Sequence, residues 1–215
     1  MAARTAYHHG DLRRTLLDAA LDLIAEQGVA AVSLRGLARR AGVSHAAPAH
    51  HFTDKAGLFT AIAVEGHHLL ADAMTAGTAA GGGPGHGARG AGDGDGTDAP
   101  AAVLRELGVR YVRFALDHPA HFDVMFRLDL CRADDPGLAA ARERSGALLN
   151  SAVPGGPHGP RRRGYVLAAW SVAHGFATLW REGSLARSVG DGTPENYFEE
   201  AADVLFAPAD PPAAG

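Results

Sequence analysis

The chain has 215 residues, 47% hydrophobic and 20% charged, enough for one or two domains with an ordinary core. Its net charge of −4, from 20 basic and 24 acidic residues, excludes the bulk basicity of a histone-like or ribosomal protein. One cysteine, Cys131, excludes an internal disulfide framework and a cysteine-based zinc site, and suggests a reducing, cytoplasmic compartment.

No stretch approaches the run of about 20 apolar residues that a membrane helix needs, so no membrane partner is expected. Met1–Gly10 lacks the apolar core of a secretory signal. In chain order, Leu12, Leu16, Ala19, Ala20, Leu23 and Ile24 recur at helical spacing and predict a helix over about 11–27, closed by Gly28. Ser33 stands as an N-cap before Leu34, Leu37, Ala38 and Ala41, a short second helix. Gly42-Val43 predicts a turn, and Ser44 is expected to cap a third helix through His51. A fourth begins near Asp54 and carries Leu58, Phe59, Ile62, Leu69 and Leu70.

Residues 77–99 hold ten glycines in twenty-three positions and no large apolar side chain, the composition of a flexible linker. Its Asp93-Gly-Asp95-Gly-Thr97-Asp98 run mimics a calcium loop. It lacks the glycine at the sixth position and the bidentate Glu that such a loop requires. Beyond it, helices are expected at about 100–117, 119–130, 137–151, 161–183 and 194–206. Strand-period alternation is missing, so the expected fold is all-α. It divides into a first helical block at 1–55, a connecting fourth helix at 56–76, the linker at 77–99, and a second helical domain at 100–215.

Charge is unevenly divided. Residues 1–55 carry seven basic and five acidic side chains, a balance of +2, which leaves −6 for the remainder. An anionic partner would bind the first block. Nineteen of the basic residues are Arg, a skew that GC-rich coding would give, and the one Lys is Lys55.

Ser33-Leu-Arg-Gly-Leu-Ala38-Arg-Arg-Ala-Gly42-Val43-Ser44 has the spacing of a helix-turn-helix. A small residue is needed at Ala38, where the helices cross closely, and Gly42 permits the positive φ of a tight turn. Val43 fills the angle between the helices, and the third helix presents its first turn to a major groove. Residues 11–74 further resemble the DNA-binding domain of the TetR family of transcriptional regulators. The resemblance rests on Ile24-Ala-Glu-Gln-Gly28, on the helix-turn-helix, and on His51-Phe52-Thr-Asp54-Lys55-Ala-Gly-Leu58-Phe59. Tyr7-His8-His9-Gly10-Asp11-Leu12-Arg13 resembles a subgroup of that family. Trp170-Ser-Val-Ala-His174-Gly175-Phe-Ala-Thr-Leu is similar to the Trp/His/Gly C-terminal domain of some members.

The resemblance implies phosphate contacts from Ser33 and Lys55, both at helix starts, and a phosphate or base contact from Arg35. Ser44, His45, Ala46 and Ala47 fall in the first turn of the recognition helix and His50 further along. His45 would reach a base edge, and Ala46 or Ala47 a thymine methyl. Arg4 would enter the minor groove. The family's usual Tyr in this helix is Ala49 here, which removes one contact, and Pro48 removes one helical N–H. His51 and Phe52 read as core and hinge, and Arg39 and Arg40 as either a solvated face or DNA contacts.

In the second half, the resemblance implies an effector cavity, with Phe114, Phe122, Phe126 and Trp170 as its expected lining. It also implies a two-fold dimer interface, expected to use Trp170, His174 and Ala177 with Phe198 and Leu205 of the last helix. Arg181 shares the Trp170 face. The twelve His include the dense Asp117-His118-Pro-Ala-His121 run, but Pro119 suggests a helix start between its histidines, so no metal is expected. No cofactor is called for: nucleophile–base pairs, phosphate loops and metal motifs are missing, and an enzyme is not expected. The reading is a ligand-responsive repressor that binds a palindromic double-stranded operator as a homodimer. The alternative is a helical dimerisation or scaffold protein with a non-functional helix-turn-helix.

Overall fold

The computed structural model describes residues 9–76, 98–153 and 160–206. The described residues form helices and no strand: α1 (His9–Gln27), α2 (Leu34–Arg40), α3 (Ala47–Phe52), α4 (Lys55–Thr75), α5 (Asp98–Asp117), α6 (Pro119–Met125), α7 (Pro136–Ala152), α8 (Pro160–Arg181), α9 (Ala186–Val189) and α10 (Pro194–Phe206). The linker, its calcium-like run and Arg4 lie outside the described residues, except that Asp98 and Ala99 open α5.

Two compact units result, one of residues 1–68 with 118–143 and one of 69–117 with 144–215. This division departs from the boundaries expected at 55 and 100. Residues 118–143 pack with the N-terminal block because α4 is apolar well beyond its first turns. Its buried His67 meets the Met125 carbonyl, and its buried Gly66 lies against His121 and Met125.

In the first unit the apolar stripe of α1 turns inward, with Leu16, Leu17, Ala20, Leu23 and Ile24 buried beside Val32, Leu37, Leu58, Phe59 and Ile62. Gly28 stops the helix at φ 79°, its N–H donating to Ile24 O at 2.8 Å. The sixth helix ends five residues short of expectation, at Met125, and a 3₁₀ turn follows at Leu128–Leu130. Arg127 pairs with Asp129 at 2.8 Å, and positions i and i+2 do not share a helix face, so this pair favours the tighter turn.

In the second unit, α5, α8 and α10 pack together. Phe176 stacks on Trp180 at 5.8 Å between ring centroids and meets Phe198 edge-on at 5.4 Å. α8 ends with Gly183 at φ 74°, where Ser184 N–H reaches back to Leu179 O at 3.0 Å. This stop makes room for the short α9, which the sequence pattern did not announce. Gly108 of α5 is where Phe198 enters: a Cβ there would lie 2.3 Å from the ring. Gly108→Ala is expected to destabilise the protein by about 1–3 kcal/mol through overpacking. Urea denaturation monitored by circular dichroism measures the loss, and an unchanged midpoint would contradict this packing.

Candidate nucleic-acid interface

Ser33 adopts extended backbone (φ −141°, ψ 145°), and its Oγ accepts the Gly36 N–H at 3.1 Å, so α2 has the N-cap its sequence predicts. Leu37 and Ala38 are the buried side of that short helix. The turn closes as Gly42 takes φ 67° and the Val43 N–H donates to Ala38 O at 3.0 Å. Ala38 is fully buried, as a close helix crossing requires.

The third helix corrects one expectation. Ser44 does not cap it; α3 begins at Ala47, with Ala46 at the cap position and no side-chain cap bond. Pro48 is the cause. It has no N–H to give the Ser44 carbonyl, which takes the Ala47 N–H at 3.0 Å and forms a tight turn over 44–47. The pyrrolidine ring is instead buried.

Around this turn Ser33, Arg35, Ser44, His45, Ala46 and His50 are exposed, while Ala47 and Lys55 are half-buried. His51 is also half-buried, its ring 5.4 Å from that of His50 and 6.3 Å from that of buried Phe52, as a core and hinge role requires. The arginines sort themselves by partner. Arg40 is held by both oxygens of Glu26 at 2.8 and 2.5 Å. Arg14 bridges Asp18 and Glu65 at 2.8 and 2.7 Å, and Arg13 covers the Phe52 ring. Arg35 and Arg39 are exposed and form no ion pair among the described residues, so their charge faces solvent. Lys55 opens α4, its ammonium 5.3 Å from the Phe59 ring centroid. Cations and hydroxyls set at helix starts are suited to phosphate oxygens.

The link from α3 to α4 holds groups that the sequence pattern did not flag. Thr53 has φ 68° and ψ −56°, and Asp54 N–H donates to Phe52 O at 2.8 Å, which is a γ-turn of the uncommon positive-φ kind. A non-glycine residue there costs about 1–3 kcal/mol unless its surroundings hold it. Asp54 Oδ1 then caps α4 by accepting the Gly57 N–H at 2.8 Å. That hydrogen bond, seconded by Arg132, holds the Asp54 carboxyl below the usual range.

A second polar group joins α1, α4 and α6 within the first unit. Glu65 takes Arg14 on one oxygen and His121 Nε2, at 3.1 Å, on the other. Burial alone would raise the Glu65 carboxyl, but hydrogen bonds from Arg14 and then His121 outweigh it and keep the group ionised below its ordinary range. Burial lowers His121, and its bond to Glu65 offsets this only in part. These partners stand more than fifty residues apart, so no local pattern could reveal them. Among the described residues no three His, Cys, Asp or Glu side chains are placed to hold a metal ion. No helix there is long and apolar enough to cross a membrane.

The four aromatics expected at an effector cavity divide between the units. Phe122 and Phe126 belong to the first, their rings edge-on at 5.4 Å, with Phe126 also against His67. Phe114 and Trp170 belong to the second, Phe114 buried and Trp170 exposed. Two expected dimer contacts are corrected. Ala177 is fully buried and Phe198 is 2% exposed, both inside the protomer's own second unit, with Phe198 filling the space left by Gly108. His174 is half-buried. Its Nδ1 lies 2.8 Å from the hydroxyl of buried Tyr111, whose phenol burial raises. Trp170 and Leu205 do face outward, along with Tyr165, Leu179 and Val204.

A helix-turn-helix with outward-facing cations, followed by helices carrying their own core, is the architecture of helical transcriptional regulators. Comparison with known proteins narrows it. Residues 16–62 match the family described as bacterial regulatory proteins, tetR family, and residues 104–205 match the tetracyclin repressor-like C-terminal domain. The chain belongs to the TetR family of transcriptional regulators. It is 42% identical over 62 residues to the HTH-type transcriptional regulator AcrR of Shigella flexneri, covering 29% of each chain. It is 36% identical over 70 residues to the HTH-type transcriptional regulator SrpR of Pseudomonas putida, covering 33% of each. The matched part is thus about a third of these curated relatives' length. A solved protein of unknown function from Rhodococcus sp. RHA1 is 27% identical with TM-score 0.70, covering 94% of this chain and 97% of that one. A TetR-family regulatory protein from Rhodococcus RHA1, 20% identical with TM-score 0.64 over 91% and 95% of the two chains, shares the fold.

Proposed function

We propose that the protein is a ligand-responsive repressor that binds a palindromic DNA operator as a homodimer in the cytoplasm. The observation that carries DNA binding is the exposed row Ser33, Arg35, Ser44, His45, Ala46 and His50 around the Gly42 turn, with Lys55 at the next helix start. His45 and His50 would read base edges and Ala46 or Ala47 a thymine methyl, while Ser33, Arg35 and Lys55 grip phosphates. Two such blocks in a dimer would meet half-sites about 34 Å apart, or a multiple of that distance. The outward Trp170 and Leu205 are the exposed apolar residues proposed to meet the second copy.

Effector sensing is supported by the C-terminal family match. An effector needs only to prefer the DNA-incompetent state; reversing a 99:1 population takes about 10⁴-fold preference. Selection of bound fragments from random duplex DNA tests the reading and is expected to return a palindrome. On that duplex, Arg35→Ala and Lys55→Ala are each expected to weaken binding and lower the slope of log affinity against log salt by about 0.9. Unchanged binding in both variants would favour the scaffold alternative.

A further inference from the structure

The segment after α6 is fastened to the first turns of α4, and all of its attachment points lie in the first unit. Arg132 makes the attachment. Its backbone N–H donates to Thr60 Oγ1 at 2.9 Å, and its guanidinium pairs with Asp54 Oδ2 at 3.1 Å. Thr60 in turn donates to Ala56 O at 2.8 Å, so the Arg132 backbone is tied to the α4 ladder itself. Gly57 leaves the guanidinium its place: a Cβ there would lie 3.1 Å from Nη2.

Asp54 divides its oxygens between two tasks. Oδ1 holds the start of α4 through Gly57 N–H, and Oδ2 takes Arg132. The residue before it, Thr53, is held at a positive φ that a β-branched side chain rarely adopts. Released from its neighbours, Thr53 would relax to negative φ and redirect the chain between the proposed recognition helix and Lys55. The alternative use of Arg132, a direct phosphate contact, would leave the Asp54 carboxylate without its ion-pair partner.

We propose that Arg132 is a positioning residue for DNA binding: through Asp54 it holds the strained 52–54 turn, and so sets α3 and Lys55 at the angle that one stretch of duplex accepts. The proposal rests on the reading of residues 33–55 as the DNA-binding surface. It assigns a role in that surface to a residue from the part of the chain matched by the C-terminal family.

The full-length protein is titrated with the fluorescent duplex recovered by selection, across a salt series, with thermal melts to check folding. Arg132→Ala and Asp54→Asn are each expected to weaken binding roughly tenfold, the size of coupling between groups in direct contact. The Asn keeps the Gly57 cap and loses only the charge, so it serves where the alanine variant unfolds. The double variant should bind no worse than either single one, and the salt slope should stay at the wild-type value. Arg132→Lys should recover part of the affinity. Thr53→Gly in the Arg132→Ala background should recover more, because glycine holds a positive φ without strain. Wild-type affinity in both single variants overturns the proposal. A slope lower by about one in Arg132→Ala overturns it too, since it marks a direct phosphate contact. If the wild-type protein selects no duplex, the DNA-binding reading itself falls, and the positioning role with it.

Discussion

Gly57→Ala is expected to cost roughly 3 kcal/mol of stability, where the same change in an unobstructed helix stabilises by up to about 1 kcal/mol. The reason is a backbone atom. The γ-turn at Thr53 swings the Phe52 carbonyl over the first turn of α4, so that a Cβ on Gly57 would lie 2.0 Å from its oxygen. No rotamer change relieves such a clash; the turn or the helix start must move, and both carry the proposed DNA surface. Gly146, inside α7, is the control, because a Cβ there would meet no atom within 4 Å. Gly146→Ala should raise the denaturation midpoint while Gly57→Ala lowers it. Equal shifts of the same sign in the two variants would contradict the geometry of the 52–57 segment.

Lowering the pH from about 6.5 to about 4 is expected to remove roughly 3 kcal/mol of stability through His67 alone. Burial pushes this imidazole down to about 4, opposed only in part by the Met125 carbonyl, to which Nε2 lies at 3.2 Å. The unfolded chain takes up a proton near the ordinary value of 6.5, and the folded chain does not until about 4. Between the two the unfolded state binds more protons, so stability is complete above this window and declines as pH falls through it. His121, also lowered by burial, adds in the same direction. Glu65 and Asp54, whose carboxyls are held low, act further down the acid range. Thermal midpoints of the wild type and His67→Gln across this range provide the check. A variant as pH-sensitive as the wild type would remove His67 from the account.

Much of the candidate site is legible in the residue types alone. Ser33, Gly28 and Gly42 announce themselves because caps and positive-φ turns select residue types by local chemistry, and each performs its expected local task. Ser44 misleads for a related reason. It has the right type for a cap, but Pro48 removes the N–H that would have continued the ladder back to it, and the helix starts three residues later. Ala177 and Phe198 mislead differently. Helical periodicity shows that residues share a stripe but not whether the stripe meets the protomer's own core or a second chain. Gly108 opens the space that takes Phe198 inward.

The sequence by itself determined the helical class, nearly all the helix positions and the contrast between a +2 first block and a −6 remainder. Those follow from periodicity, capping chemistry and charge, which act over a few residues or add along the chain. Only the tertiary structure decided which charges of that first block face solvent. Arg14 and Arg40 are bound to carboxylates, while Arg35 and Arg39 form no ion pair among the described residues. It alone brought residues 118–143 into the first unit, setting His121 against Glu65 and Arg132 against Asp54. Such pairings join positions more than fifty residues apart, and their energy depends on burial and orientation, which no local pattern encodes.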